Sequence, residues 1–144
     1  MSVTRVIESR VIDAPIDLVW KQVRSAELSF WSAIKSAKVE QGSSSEVGSL
    51  RTFAFKDGSV QQVKVVELSD LGHFLSFDFI QSEPAVGYMS ALHTIHLRKV
   101  TNNNTTFVEW SAEFSSDAKL DVIEDSKFKR LEGLEDLAKA CAKK

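Results

Sequence analysis

The sequence predicts an α+β fold of order β-α-α-β6-α, a seven-stranded curved antiparallel sheet covered by one long C-terminal helix. Three observations carry that expectation. A helical segment opened by Pro15 follows the first strand. The apolar pattern then switches to a period of two and keeps it through six segments bounded by turn residues. Residues 117–144 finally return to a helical period. Six consecutive antiparallel strands must curl, and only the closing helix can cover the face they leave open.

Residues 3–13 read as a strand whose apolar content is Val3, Val6, Ile7, Val11 and Ile12. Asp13-Ala14-Pro15 then starts a helix, with Asp13 as its cap and Pro15 in the first turn. Ile16, Val19, Trp20 and Val23 recur at helical spacing over 16–24. A second short helix is expected to carry Leu28, Phe30, Trp31 and Ile34. Strands are expected at 37–41, 48–55, 61–69, 74–81, 88–100 and 106–115. The breaks hold turn chemistry: Gly42-Ser43-Ser44-Ser45, Asp57-Gly58, Asp70-Leu71-Gly72 and Asn102-Asn103-Asn104. Lys56-Asp57-Gly58-Ser59 is the clearest hairpin among them. In the closing helix Leu120, Ile123, Leu131, Leu134, Ala138 and Cys141 share one arc, with Lys127 at its centre. No repeat, linker or low-complexity run divides the chain, so 1–144 reads as one domain.

Composition excludes several function classes. A net charge of -2 offers no basic stripe for nucleic acid. Apolar runs are too short for a membrane span. The Met-Ser-Val-Thr-Arg start lacks an apolar signal core, so the expected location is cytoplasmic and the Asn103 and Asn104 glycosylation matches are idle. Cys141 is the single cysteine, which forbids an internal disulfide; beside Leu137 and Ala138 it reads as a packing residue.

The motifs carry a resemblance. Ile12-Asp13-Ala14-Pro15-Ile16-Asp17-Leu18-Val19-Trp20 is similar to the strand, Ala-Pro, Val-Trp opening of the START-like or SRPBCC superfamily. These are helix-grip proteins that include birch-pollen-allergen-like, lipid-transport-like and polyketide-cyclase-like members. In the same order, residues 31–39 resemble the second-helix exit and Val47-Gly48-Ser49-Leu50-Arg51 the glycine-then-arginine strand start. Asp57-Gly58 resembles the following turn, Val108-Glu109-Trp110-Ser111 the penultimate strand-end motif, and Gly133-Leu134 to Leu137 the Gly-Leu-x-x-Leu of the closing helix. The resemblance implies a helix-grip fold over nearly the whole chain, with a cavity between sheet and helix.

Strand alternation then selects the ligand-facing side chains. Leu75, Phe77 and Phe79 alternate with polar neighbours, and so do Trp110, Ala112 and Phe114. Arg51, Phe53 and Phe55 share a face that the resemblance points inward, and Gln61, Val63 and Val65 face them. Both faces of 88–100 hold apolar residues; by resemblance Tyr88, Ser90 and Leu92 point in. Trp31 stands near the mouth, and Lys127, Leu131 and Leu134 face the cavity from the helix. Aromatic walls with few polar groups suit a small hydrophobic ligand; the alternative is that the rings fill a solid core. Arg51 either meets a carboxylate, phosphate or carbonyl, or lies at the rim against Glu46 or solvent. Lys127 either reaches an anionic ligand end or snorkels to the surface.

Other chemistry is missing. His93 and His96 are three apart on a strand and so face opposite ways, which excludes a shared metal. His73 stands in a turn with no partner in sequence. No phosphate loop, dinucleotide glycine motif or nucleophile elbow occurs, and no metal or cofactor is expected. The lachrymatory-factor synthase branch uses a cavity arginine, glutamate and tyrosine; Arg51 matches the first, whereas Val63 and Ala91 stand at the others. In the abscisic-acid receptor branch a cavity lysine holds the ligand's carboxylate. Trp31 stands there, and Lys56-Asp57-Gly58-Ser59 and Ser82-Glu83-Pro84-Ala85 replace the closing loops. Three functions remain: binding or carriage of a hydrophobic or amphipathic molecule; a metal-free cyclase, dehydratase or isomerase with Arg51, Glu67 and Tyr88 as catalytic candidates; or an interaction module with a protein partner.

Overall fold

A computed structural model describes residues 4–43 and 46–142 of the chain. Val3, Ser44, Ser45 and the last two lysines therefore lie outside the described residues. The elements are β1 (Thr4–Ile12), α1 (Ile16–Val23), β2 (Ile34–Gln41), β3 (Leu50–Phe55), β4 (Val60–Ser69), β5 (Phe74–Glu83), β6 (Ala91–Val100), β7 (Thr105–Phe114) and α2 (Leu120–Ala142). The seven strands form one antiparallel sheet of order β1-β7-β6-β5-β4-β3-β2. From β2 to β7 each strand pairs with the next, so short turns suffice; β1 alone crosses over, to β7. The expected helix-grip architecture is present, with one helix fewer.

The second short helix does not form. After Arg24 caps α1, Ala26 and Leu28 adopt φ of 61° and 52°. Left-handed backbone cannot continue a right-handed helix. Leu28 and Trp31 are nevertheless buried, so their apolar character reported packing rather than helix. Asp13 does not cap α1 either: Pro15 occupies the N-cap position, without a side-chain hydrogen bond. At its other end α1 is pinned to the β4–β5 turn, where Asp70 accepts from Trp20 Nε1 at 2.8 Å and from the Arg24 guanidinium at 2.8 and 2.9 Å.

The hairpin turn at Asp57-Gly58 is as expected, with Gly58 at φ 95° and Asp57 accepting from Ser59. The pairing of β5 with β6 ends at Asp78↔Leu92, whereas β5 stays paired to β4 as far as Glu83. Past that point 84–90 leaves the sheet and opens a mouth on one side of the fold.

Helix α2 lies across the concave face, and its phase is fixed by Gly133. A Cβ there would sit 2.5 Å from Cζ3 of Trp110, which is fully buried on β7. Only glycine allows that approach. Residues on the same side are thereby turned inward: Ser126, Arg130, Leu134, Leu137 and Cys141 are all buried. The apolar arc centred on Lys127 is a misreading of this phase. Lys127 is exposed, and Leu120, Phe128 and Leu131 are 73%, 66% and 44% exposed.

Candidate ligand pocket

Two adjacent spaces lie under α2. The inner one, of about 30 Å³, is lined by Leu28, Phe53, Val63, Phe77 and Trp110. The outer one, of about 190 Å³, opens at the mouth and is lined by Ser59, the 86–88 segment, Phe114, Val122, Asp125, Ser126 and Lys129. Trp31, Phe55, Gln61, His93 and Arg130 border both. Most of the concave face is therefore solid core; a further open groove of about 420 Å³ lies beside it, lined by Ser32, Ala33, Phe55, Lys56, Asp57, Lys129 and Glu132.

The sequence-predicted residues divide accordingly. Trp31, Phe53, Phe55, Val63, Phe77, Tyr88, Trp110 and Phe114 line one space or the other. Val65, Leu75, Ala112 and Leu134 are buried in the packed core. Phe79 packs against the Tyr88 ring at 5.4 Å. Six expectations are corrected. Arg51 is fully buried yet lines neither of these two spaces: its guanidinium donates to Ser25 O at 2.7 Å, Ser43 O at 3.3 Å and Ser49 Oγ at 2.9 Å. It does not lie at the solvated rim; it ties β3 to the neighbouring loops. Glu67 faces outward because a register shift between Val65 and Glu67 reverses the alternation. Leu92 faces outward too, since on β6 Ala91, Ile95 and Leu97 are buried and His93, of the same parity, lines the cavity. Ser90 is exposed before that strand begins. Lys127 and Leu131 lie on the outer side of α2.

Sequence reasoning missed the polar centre of the pocket. Arg130 is 5% exposed and has no carboxylate within 4 Å among the described residues. Its Cζ lies 4.9 Å from the Trp110 ring centroid and 5.5 Å from that of Trp31, so indole rings flank the guanidinium. Its Nη1 donates to His93 Nδ1 at 3.1 Å. Burial lowers the Arg130 pKa only to about 10, so the cation persists at neutral pH. Burial, with Arg130 alongside, holds His93 down at about 3, so the imidazole is neutral. Phe77 stacks on it at 5.1 Å. Burial raises the Tyr88 phenol. Asp125, nearer the mouth, is already paired with Lys129 at 2.9 Å. Three buried atoms of the outer lining lack a protein partner, Trp31 Nε1, Ser126 Oγ and Arg130 Nε, as does Trp110 Nε1 at the inner space.

The family model for polyketide cyclase / dehydrase and lipid transport proteins matches residues 3–141. The chain belongs to that family. Similar solved structures extend the fold comparison for this polyketide cyclase / dehydrase and lipid transport family member. A structural-genomics protein from Nitrosospira multiformis is 27% identical with a TM-score of 0.84, covering 96% of this chain and 97% of its own. An uncharacterized protein from Bacillus thuringiensis is 22% identical with a TM-score of 0.84, covering 97% and 100%. Ginseng major latex-like protein 151 shares the fold at 12% identity and a TM-score of 0.81, covering 98% and 99%. No curated protein matches the sequence significantly. No helix among the described residues is long and apolar enough to cross a membrane.

Proposed function

We propose that this family member binds a small amphipathic molecule in the outer cavity, its apolar body among Trp31, Phe55, Tyr88 and Phe114 and its polar end toward α2. The observation that carries this reading is the lining itself: aromatic walls around a mouth-side space of about 190 Å³, with a buried guanidinium on one wall. A cavity of about 150 Å³ is enough for benzene, so the space suits one ring or a short chain. Family membership, with its description of polyketide and lipid chemistry, supports the ligand's apolar character. Calorimetric titration with benzyl alcohol tests the reading. One equivalent should bind with a negative heat-capacity change as apolar surface leaves water. Ser126→Trp, which fills the cavity from α2, should abolish binding in a folded protein; unchanged binding there overturns the reading.

One observation favours turnover as a second reading: the Arg130–His93 pair lies inside the cavity. A guanidinium beside a bound carbonyl would stabilise a developing oxyanion. His93 is no base at neutral pH, however, and Asp125 is held by Lys129. Of the earlier catalytic candidates only Tyr88 lines the space. An electrophilic group is thus in place without an evident base, which makes binding the stronger reading.

A further inference from the structure

Resting on the pocket reading above, we infer that the ligand's polar end is a monocarboxylate, seated on the Arg130 guanidinium beside Ser126 and Trp31. Of the three buried, unpartnered atoms in the outer lining, Arg130 Nε and Trp31 Nε1 can only donate. Ser126 Oγ can donate as well. A lining of donors is complemented by a group that only accepts. An alcohol or amide would bring its own O–H or N–H, for which Ser126 Oγ is the one acceptor among those three atoms.

Charge narrows the class. A buried cation without a counter-ion is costly, by several kcal/mol for an ion taken fully out of water. Arg130 makes no ion pair: two indole rings and a neutral imidazole touch it, and Asp125, whose charge acts on it from beyond ion-pair distance, is itself paired with Lys129. A ligand anion would supply the missing charge. One negative charge fits and two do not, because the other cation of the lining, Lys129, is already paired with Asp125, whose own carboxylate would repel a dianion. Shape agrees. Trp31 and Trp110 lie against the guanidinium and His93 takes Nη1, which leaves the Nε side of the fork. That side presents parallel N–H donors in the geometry a planar carboxylate accepts.

The test compares benzoate, benzyl alcohol and inorganic phosphate on the full chain by calorimetric titration. Benzoate should bind at least about 10-fold tighter than benzyl alcohol, the scale of a charged hydrogen bond. Arg130→Met should remove that margin, bringing benzoate and benzyl alcohol to within about threefold of each other. Benzoate binding no tighter than benzyl alcohol overturns the carboxylate assignment and leaves the pocket reading standing. Failure of both ring probes overturns both. Phosphate competing as strongly as benzoate overturns the monocarboxylate class. A second measurement needs only the wild-type chain, should Arg130→Met not fold. Among the three tryptophan indole N–H resonances, benzoate should move that of Trp31 and leave that of Trp20, which is bonded to Asp70. A Trp31 resonance that responds equally to benzyl alcohol overturns the assignment.

Discussion

Arg130 Nη1 lies 3.1 Å from Nδ1 of His93, on a helix and a strand that meet only through tertiary packing. Arginine has no acceptor, so the imidazole must accept at Nδ1 and carry its proton on Nε2. The bond therefore requires neutral His93, and protonation would set two cations against each other inside the fold.

Acid stability reports this directly. The folded-state pKa of His93, about 3, lies below the unfolded value of 6.5. Between those values the unfolded chain takes up a proton that the folded chain refuses, so stability falls as pH drops from 6.5 toward 3. The full effect is on the order of a few kcal/mol. Asp70 acts in a lower window: Arg24 and Trp20 hold it at about 2 against 3.8, so its contribution is present above 3.8 and lost toward 2. Urea unfolding of His93→Gln, whose amide oxygen can still accept from Arg130, should lose most of the slope above pH 4 and keep the lower one. A slope above pH 4 identical to wild type would contradict the account.

Gly133→Ala should destabilise the fold by about 1–3 kcal/mol, because the new Cβ would lie 2.5 Å from a Trp110 ring that has nowhere to move. The urea midpoint measures it. An unchanged midpoint would mean that α2 can lift from β7 at no cost.

Arg51→Ala separates structure from binding. Losing the guanidinium leaves Ser25 O and Ser43 O without their donor, and the fold should weaken by at least about 2 kcal/mol. Affinity for a benzoate-sized probe, measured under conditions where the variant is folded, should stay at the wild-type level. A selective loss of affinity would return Arg51 to the site.

The architecture was legible because it rests on periodicity. The period-two runs of β5 and β7 named Phe77, Trp110 and Phe114 without ambiguity, and Pro15 marked the start of α1. What failed was direction where two signals competed. Leu120 and Leu131 pulled the apolar arc of α2 toward Lys127, although both side chains are exposed. Gly133 carried the correct phase: counting back from a glycine that must face the sheet reaches Arg130 and Ser126. On β6 the resemblance favoured Leu92, while Ile95 and Leu97 against Arg98 held the opposite parity and would have turned His93 inward. The register shift before Glu67 left no mark in the pattern, and neither did the left-handed Ala26 and Leu28.

The central claim is that the mouth-side cavity under α2 is the ligand site. The most direct measurement is a crystal structure of the full chain with benzoate at saturation. The account predicts electron density for one ring among Phe55, Tyr88 and Phe114, with the carboxylate within hydrogen-bond distance of Arg130. Density elsewhere with that cavity free of the probe, or a ring there with its carboxylate turned away from Arg130 toward solvent, would contradict it.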